Sequence, residues 1–173
     1  MSKTIDALDI EATLDAMAAQ LKPLVESAAQ APVMVGIHTG GLWIAEALHA
    51  RLQLSSRLGS LNIHFYRDDF TRIGLHPQVK PSDLEENIDD RPVILVDDIL
   101  HTGRTVRAAL NELFDYGRPT SVTLVVLIDR GGHELPIAAD VIGQQVTLPR
   151  SQHIKLHGPA PLFLKLTTGS TSR

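Results

Sequence analysis

Two adjacent acids, Asp97 and Asp98, follow the apolar run Val93-Ile-Leu-Val96 and precede Ile99-Leu-His-Thr-Gly-Arg-Thr105. A continuous β-branched run of this kind reads as a buried strand, and the spacing that begins at Thr105 reads as a helix. The acids are therefore expected at the carboxyl end of a strand, with the hydroxyl-rich turn opening the helix. In open α/β sheets, ligands bind beyond the carboxyl ends of the strands. The turn from Thr102 to Thr105 offers backbone N–H groups and two hydroxyls at a helix N-terminus, which is phosphate-binding chemistry. Gly103 allows the backbone to come close to such an anion. A phosphate placed beside Asp97 and Asp98 would be repelled. The ligand that suits both features carries its phosphate at one end and hydroxyls, or a bound cation, at the other. A ribose 5-phosphate has that form, with the acids accepting hydrogen bonds from the 2′ and 3′ hydroxyls. An isolated acidic pair is most often a solvated strand end; the run before it and the turn after it make a ligand site the better reading.

The elements that must hold these residues are visible along the chain. Ile10, Leu14, Met17, Leu21, Leu24 and Val25 recur at helical spacing and predict an amphipathic helix over 8–29. Val33–Ile37 predicts a short buried strand, and Leu42–Leu52 a helix after Gly40 and Gly41. His49 is expected on the exposed face of that helix and Trp43 in the core. Leu61–Tyr66 alternates like a strand, and 67–90, polar and aperiodic, predicts a long loop of the kind often used as a lid. Thr105–Tyr116 is expected to be helical, stopped by Gly117 and Pro119, and Val122–Ile128 to be another buried strand. After Gly131 the chain reads as irregular. His153–His157 and Leu162–Leu166 could pair as a terminal hairpin around Gly158-Pro159, and 167–173 is expected to be disordered. Buried strands alternating with helices predict an α/β fold with a mostly parallel sheet covered on both faces.

Composition narrows the class. A chain of 173 residues fits one domain, with its core over about 30–145 and a less typical segment from 151 to 173. With no cysteine, neither a disulfide framework nor a thiolate zinc site exists. The histidines show no metal-ligand spacing. Sixteen basic against 20 acidic residues leave a net charge of -4, which disfavours a dedicated nucleic-acid binder. No apolar stretch approaches the roughly 18–20 residues of a membrane helix, and Met1–Ala7 shows no signal-like run, so a cytoplasmic location is expected. No Gly-x4-Gly-Lys-Ser/Thr run occurs, which removes Walker-type nucleotide binding.

The segment Val93–Thr105 resembles the phosphoribosyl pyrophosphate (PRPP) signature of type I phosphoribosyltransferases. Its form, Val-Asp-Asp-Ile-Leu-His-Thr-Gly-Arg-Thr, is similar to that of the PyrR family of pyrimidine-operon regulators, many of which are also uracil phosphoribosyltransferases. Tyr66-Arg-Asp-Asp-Phe70, Phe114-Asp-Tyr-Gly-Arg-Pro119, Leu127-Ile-Asp-Arg-Gly131 and Glu134-Leu-Pro-Ile137 match further family stretches in the same order. The resemblance implies a type I phosphoribosyltransferase fold, a parallel sheet flanked by helices with a small hood over the base. It implies that Asp97 and Asp98 hold the ribose hydroxyls and, through PRPP, magnesium, the expected cofactor. Thr102, Gly103, Arg104 and Thr105 would cradle the 5′-phosphate, and His38, Thr39, Gly40 and Gly41 would form the pyrophosphate loop. Arg67, Asp68 and Asp69 would lead into a flexible catalytic loop, while Asp129, Arg130 and Ile137 would lie on the base side. Uracil and UMP are the implied partners of PRPP, and a homodimer or larger homo-oligomer the implied assembly.

Two departures qualify that picture. Relatives carry a basic residue and an arginine in the pyrophosphate loop, whereas this chain has His38-Thr39-Gly40-Gly41, so one fixed charge opposite the pyrophosphate is lost. On the base side two family arginines are missing, with Ala138 among the residues present, and Gln144 stands where a lysine is expected. Each lost phosphate contact weakens RNA binding, so these positions argue against a strong grip on messenger RNA. Two alternatives remain: a nucleotide-sensing regulator with weak or no catalysis, and a purine-type phosphoribosyltransferase of the same fold. Purine enzymes place an aromatic residue and a lysine after the last core strand, where this chain has Asp129-Arg-Gly-Gly132.

Overall fold

The computed structural model describes residues 5, 8–63 and 81–169. Its elements in chain order are α1 (Ile10–Ser27), β1 (Val33–Ile37), α2 (Gly40–Leu52), β2 (Gly59–Leu61), β3 (Pro92–Leu100), α3 (Arg104–Tyr116), β4 (Ser121–Asp129), β5 (Val141–Gln145), β6 (Gln152–His157) and β7 (Phe163–Thr168). The helix α1 starts where Asp9 caps it, its Oδ1 accepting from the Ala12 amide at 3.0 Å.

Five strands form one sheet in the order β2-β1-β3-β4-β5, and every neighbouring pair is parallel. Adjacent residues on a strand face opposite sides, and the two cores follow that alternation. Met34, Ile94, Val96, Val125 and Leu127 pack with α1 and α2 on one face. Val33, Val35, Val93, Leu95 and Val126 pack with Val106, Ala109 and Leu113 of α3 on the other. Burial on both faces is why the strands lack polar alternation. Arg51 fastens α2 to α1, with its Nε 2.8 Å from Asp15 and its Nη2 2.5 Å from Glu11. The Asp15 hydrogen bond, with Glu11 adding to it, holds the Arg51 guanidinium above its ordinary pKa.

The expected terminal hairpin is present: β6 and β7 are antiparallel, with Leu156 opposite Leu164. Ile154, Leu156 and Leu164 join the core on the α1–α2 side.

Several expectations are corrected. The strand carrying the acids does not end at Asp97. Pairing with β4 continues through Ile99↔Ile128 and Leu100↔Asp129, so the backbone stays extended past both acids. The second strand covers Gly59–Leu61 rather than starting at Leu61; the expected 64–66 lie outside the described residues. The stretch after Gly131 is not wholly irregular, since Val141–Gln145 forms β5. Gly143 interrupts that strand's pattern for a packing reason: a Cβ there would lie 2.6 Å from Leu127 O and 2.7 Å from Thr13 Cγ2 of α1. Thr167 and Thr168, expected in a disordered tail, belong to β7. His49 is half-buried rather than exposed, with Nε2 2.7 Å from Ser56 O. Trp43 packs against the core as expected.

Candidate active site

The strand order contains one point where the connections part. From β1 the chain crosses through α2 to β2 on one side, and from β3 it crosses through α3 to β4 on the other. The strands β1 and β3 are neighbours, so the loops at their carboxyl ends splay apart and leave a crevice there, the usual ligand position in such sheets. After β1, His38 and Thr39 lead into Gly40 and Gly41, the first residues of α2, and the end of β3 carries Asp97 and Asp98. Both loops lead into helices, so the N-termini of α2 and α3 meet the same crevice.

The two loops touch. A Cβ on Gly40 would fall 2.7 Å from Asp98 Cγ, and one on Gly41 would fall 2.6 Å from Val96 O and 2.9 Å from Asp97 Cα. Only glycine permits this approach. The peptide between His38 and Thr39 is cis. Asp97 is buried and Asp98 half-buried. The Asp98 amide donates to Asp97 Oδ1 at 2.9 Å, and the Ile99 amide donates to Asp98 Oδ1 at 2.9 Å. One oxygen of each carboxylate is thereby held by backbone, which orients the group.

Beyond β3 the chain turns at Gly103, whose φ of +92° is the left-handed conformation that suits glycine. No side chain caps α3. Its first amides therefore keep their capacity for an anion, apart from that of Arg104, which lies 3.3 Å from Thr102 Oγ1. The segment after β4 lies across this turn. The amides of Glu134 and Leu135 donate to Thr102 O at 2.9 and 3.2 Å, and Ile137 packs against Gly103. Arg104 pairs with Glu134 at 3.0 Å.

At the end of β4, Asp129 is buried, with Oδ1 accepting from the Gly131 amide at 2.9 Å and lying 2.9 Å from His133 Nε2. Arg130 is buried as well. Its amide donates to Leu100 O at 3.0 Å and its Nη2 donates to Gln152 O at 3.1 Å, linking the sheet to β6. His101 Nδ1 sits 2.9 Å from Gly131 O.

The sequence-predicted residues thus divide clearly. Gly40 and Gly41 lie against Asp98 and Asp97, with His38 and Thr39 just before them; Thr102–Thr105 follow the end of β3 in the turn into α3, where Ile137 lies against Gly103. Asp129 and Arg130 stand one strand over, joined to the end of β3 through Leu100 and His101. Arg67, Asp68 and Asp69 lie outside the described residues. Sequence reasoning gave no role to Glu134 or His133, because each acquires one only through a partner that folding brings near. A separate cavity of about 620 Å³, lined by Leu8, Trp43, Pro161 and Phe163 among others, includes none of the site residues.

No group of three or more His, Cys, Asp or Glu side chains able to hold a metal occurs among the described residues. The donors in the crevice are two carboxylates, a set that suits a magnesium ion taking most of its ligands from phosphates and water.

The phosphoribosyl transferase domain family matches residues 5–155. The chain is 55% identical over 159 residues to the bifunctional protein PyrR of Nitrosococcus oceani, covering 90% of each chain. It is 58% identical over 153 residues to the bifunctional protein PyrR of Pseudomonas paraeruginosa, covering 88% of this chain and 90% of that one. The chain belongs to the PyrR family of phosphoribosyltransferases. Solved structures agree on the fold of this PyrR-family chain. A hypoxanthine phosphoribosyltransferase from Staphylococcus aureus aligns with a TM-score of 0.62 at 22% identity, covering 80% of this chain and 73% of its own. That from Trypanosoma cruzi aligns at 0.61 and 19%, covering 80% and 77%. The expected parallel sheet flanked by helices is therefore the type I phosphoribosyltransferase fold.

Proposed function

We propose that the protein transfers the phosphoribosyl group of PRPP to uracil, forming UMP and pyrophosphate, and acts as a pyrimidine-responsive regulator of the pyr operon. The observation that carries this reading is the contact of Gly40 and Gly41 with the strand end bearing Asp97 and Asp98. It joins a loop for one phosphate group to a carboxylate pair for ribose, with the turn at Thr102–Thr105 beyond for a second phosphate. A ribose 5-phosphate that bears pyrophosphate on its anomeric carbon spans these parts; a simple nucleoside monophosphate uses two of them.

In the reaction the bond from the anomeric carbon to the pyrophosphate oxygen breaks, and the uracil nitrogen, losing its proton, forms the new bond. The transition state has oxocarbenium character, so the protein acts by positioning and by stabilising charge. Thr102–Thr105 anchor the 5′-phosphate, Asp97 and Asp98 hold the ribose hydroxyls, and the His38–Gly41 amides face the departing pyrophosphate. Magnesium, bound with PRPP, supplies positive charge to the leaving group. Ile137 and the segment at Asp129 and Arg130 border the base. By analogy with the family the protein is a homodimer or larger assembly. No described helix is long and apolar enough to cross a membrane.

The test is UMP formation from uracil, PRPP and magnesium, with Asp98→Asn expected to lower the rate by about 100-fold or more. A variant that retains full activity would overturn the assigned role of the acidic pair. One observation favours a second reading, a nucleotide sensor with little catalysis: the His38–Gly41 loop contains no lysine or arginine. Saturable UMP binding without UMP formation would establish that reading instead.

A further inference from the structure

Arg104 has two hydrogen-bonding edges, and one of them is committed within the protein. Its Nε and Nη2 lie 3.2 and 3.0 Å from Glu134 Oε2. Glu134 is delivered there by backbone bonds. Its own amide and that of Leu135 both donate to Thr102 O, while the Ile137 amide closes a tight turn onto Leu135 O at 2.7 Å. A Cβ on Gly103 would lie 3.4 Å from Ile137 Cβ, so the segment 134–137 rests directly on the turn it serves. The guanidinium is planar and carries five N–H donors. With the Nε–Nη2 edge on Glu134, the edge formed by Nη1 and the outer Nη2 hydrogen is left for an anion in a fixed plane. An arginine without such a partner would have to give up rotamer freedom to present that edge.

We propose that Glu134 is a positioning residue, which orients Arg104 so that its second edge meets the 5′-phosphate of PRPP and UMP bidentately. This rests on reading Thr102–Thr105 as the phosphate cradle. The competing account is a surface ion pair that merely neutralises Arg104, in which case its loss leaves phosphate binding unchanged or tightens it. Side-chain exposures of 63% and 55% show that burial does not hold the pair together. Its contribution to stability is accordingly small, and variants at both positions should fold.

The experiment is titration calorimetry of the full chain with UMP, with ribose 5-phosphate and with uridine, for the wild type, Glu134→Gln, Arg104→Lys and the double variant. We expect Glu134→Gln to weaken UMP and ribose 5-phosphate about fivefold, the size of one well-placed exposed interaction, and to leave uridine unaffected. Lysine lacks the planar fork that presents a second, bidentate edge, so Arg104→Lys should cost at least as much, and the double variant should bind no more weakly than Arg104→Lys. In turnover, Glu134→Gln should raise KM for PRPP and change kcat far less. Unchanged or tighter UMP binding by Glu134→Gln, or fully additive losses in the double variant, would overturn the proposal alone. A wild type that binds neither UMP nor ribose 5-phosphate would overturn the cradle itself, and the proposal with it.

Discussion

Gly40 and Gly41 show how closely two distant residues must approach for the crevice to exist. A methyl group at Gly40 would press on the Asp98 carboxylate, which is short and already tied through Oδ1 to the Ile99 amide. Asp98 would have to swing away from the proposed ribose position. We expect Gly40→Ala to lower kcat/KM for PRPP tenfold or more, the effect of displacing one charged contact, with a much smaller change in melting temperature. Steady-state kinetics beside a thermal melt separates the two. At Gly103 the strain is conformational: with φ at +92°, Gly103→Ala should destabilise the fold by about 1 kcal/mol in urea titration and weaken 5′-phosphate binding as well.

Among the elements, the segment 81–91 is held by a network around Glu86. Its carboxylate accepts from the Arg57 amide at 2.8 Å and from Arg91 Nη1 at 3.1 Å. The Arg57 amide first, and Arg91 second, hold the Glu86 carboxyl below its ordinary value of 4.5. A folded pKa below the unfolded one means that this stabilisation is fully present above about 4.5 and is lost as pH falls through the lowered value. The melting temperatures of the wild type and Glu86→Gln should therefore differ modestly at neutral pH and converge in acid. A difference that grows on acidification would contradict the assignment. Nearby, Ser82 ties the same segment to the sheet and to α3: its Oγ accepts from the Asn62 amide at 2.8 Å and donates to Glu112. The helix α3 depends on its buried face. Leu113→Ala should cost about 2–5 kcal/mol, read from the urea midpoint, because the residue is fully enclosed in the core below β3.

At the scale of the whole molecule, the order β2-β1-β3-β4-β5 points to where chemistry can occur, since among the described strands β1 and β3 are the neighbours with diverging connections. Charge acts at this scale too. A net charge of -4, with Ala138 and Gln144 at positions where the family resemblance leads one to expect basic residues, would give few phosphate neutralisations if RNA is bound. Binding to pyr-leader RNA should accordingly show a shallow dependence of log K on log salt, about one unit of slope per retained contact, in filter-binding assays. A steep slope would overturn this expectation.

The sequence by itself determined the fold class and singled out the residues proposed for the site. Solid apolar runs at Val33–Ile37, Val93–Val96 and Val122–Ile128 record burial on both faces, which only a covered parallel sheet supplies. The residues of the proposed phosphate turn are contiguous, so Thr102–Thr105 were legible as a unit. Tertiary structure decided what contiguity cannot express. The strand β3 outlasts its apolar run because β4 continues to pair with it, and β5 exists despite Gly143 because α1 needs that space. The contact of Gly40 with Asp98 and the reach of Glu134 to Arg104 depend on crossovers that bring separate segments to one end of the sheet. Periodicity reports that a face is covered; which distant segment covers it is settled only when the chain packs.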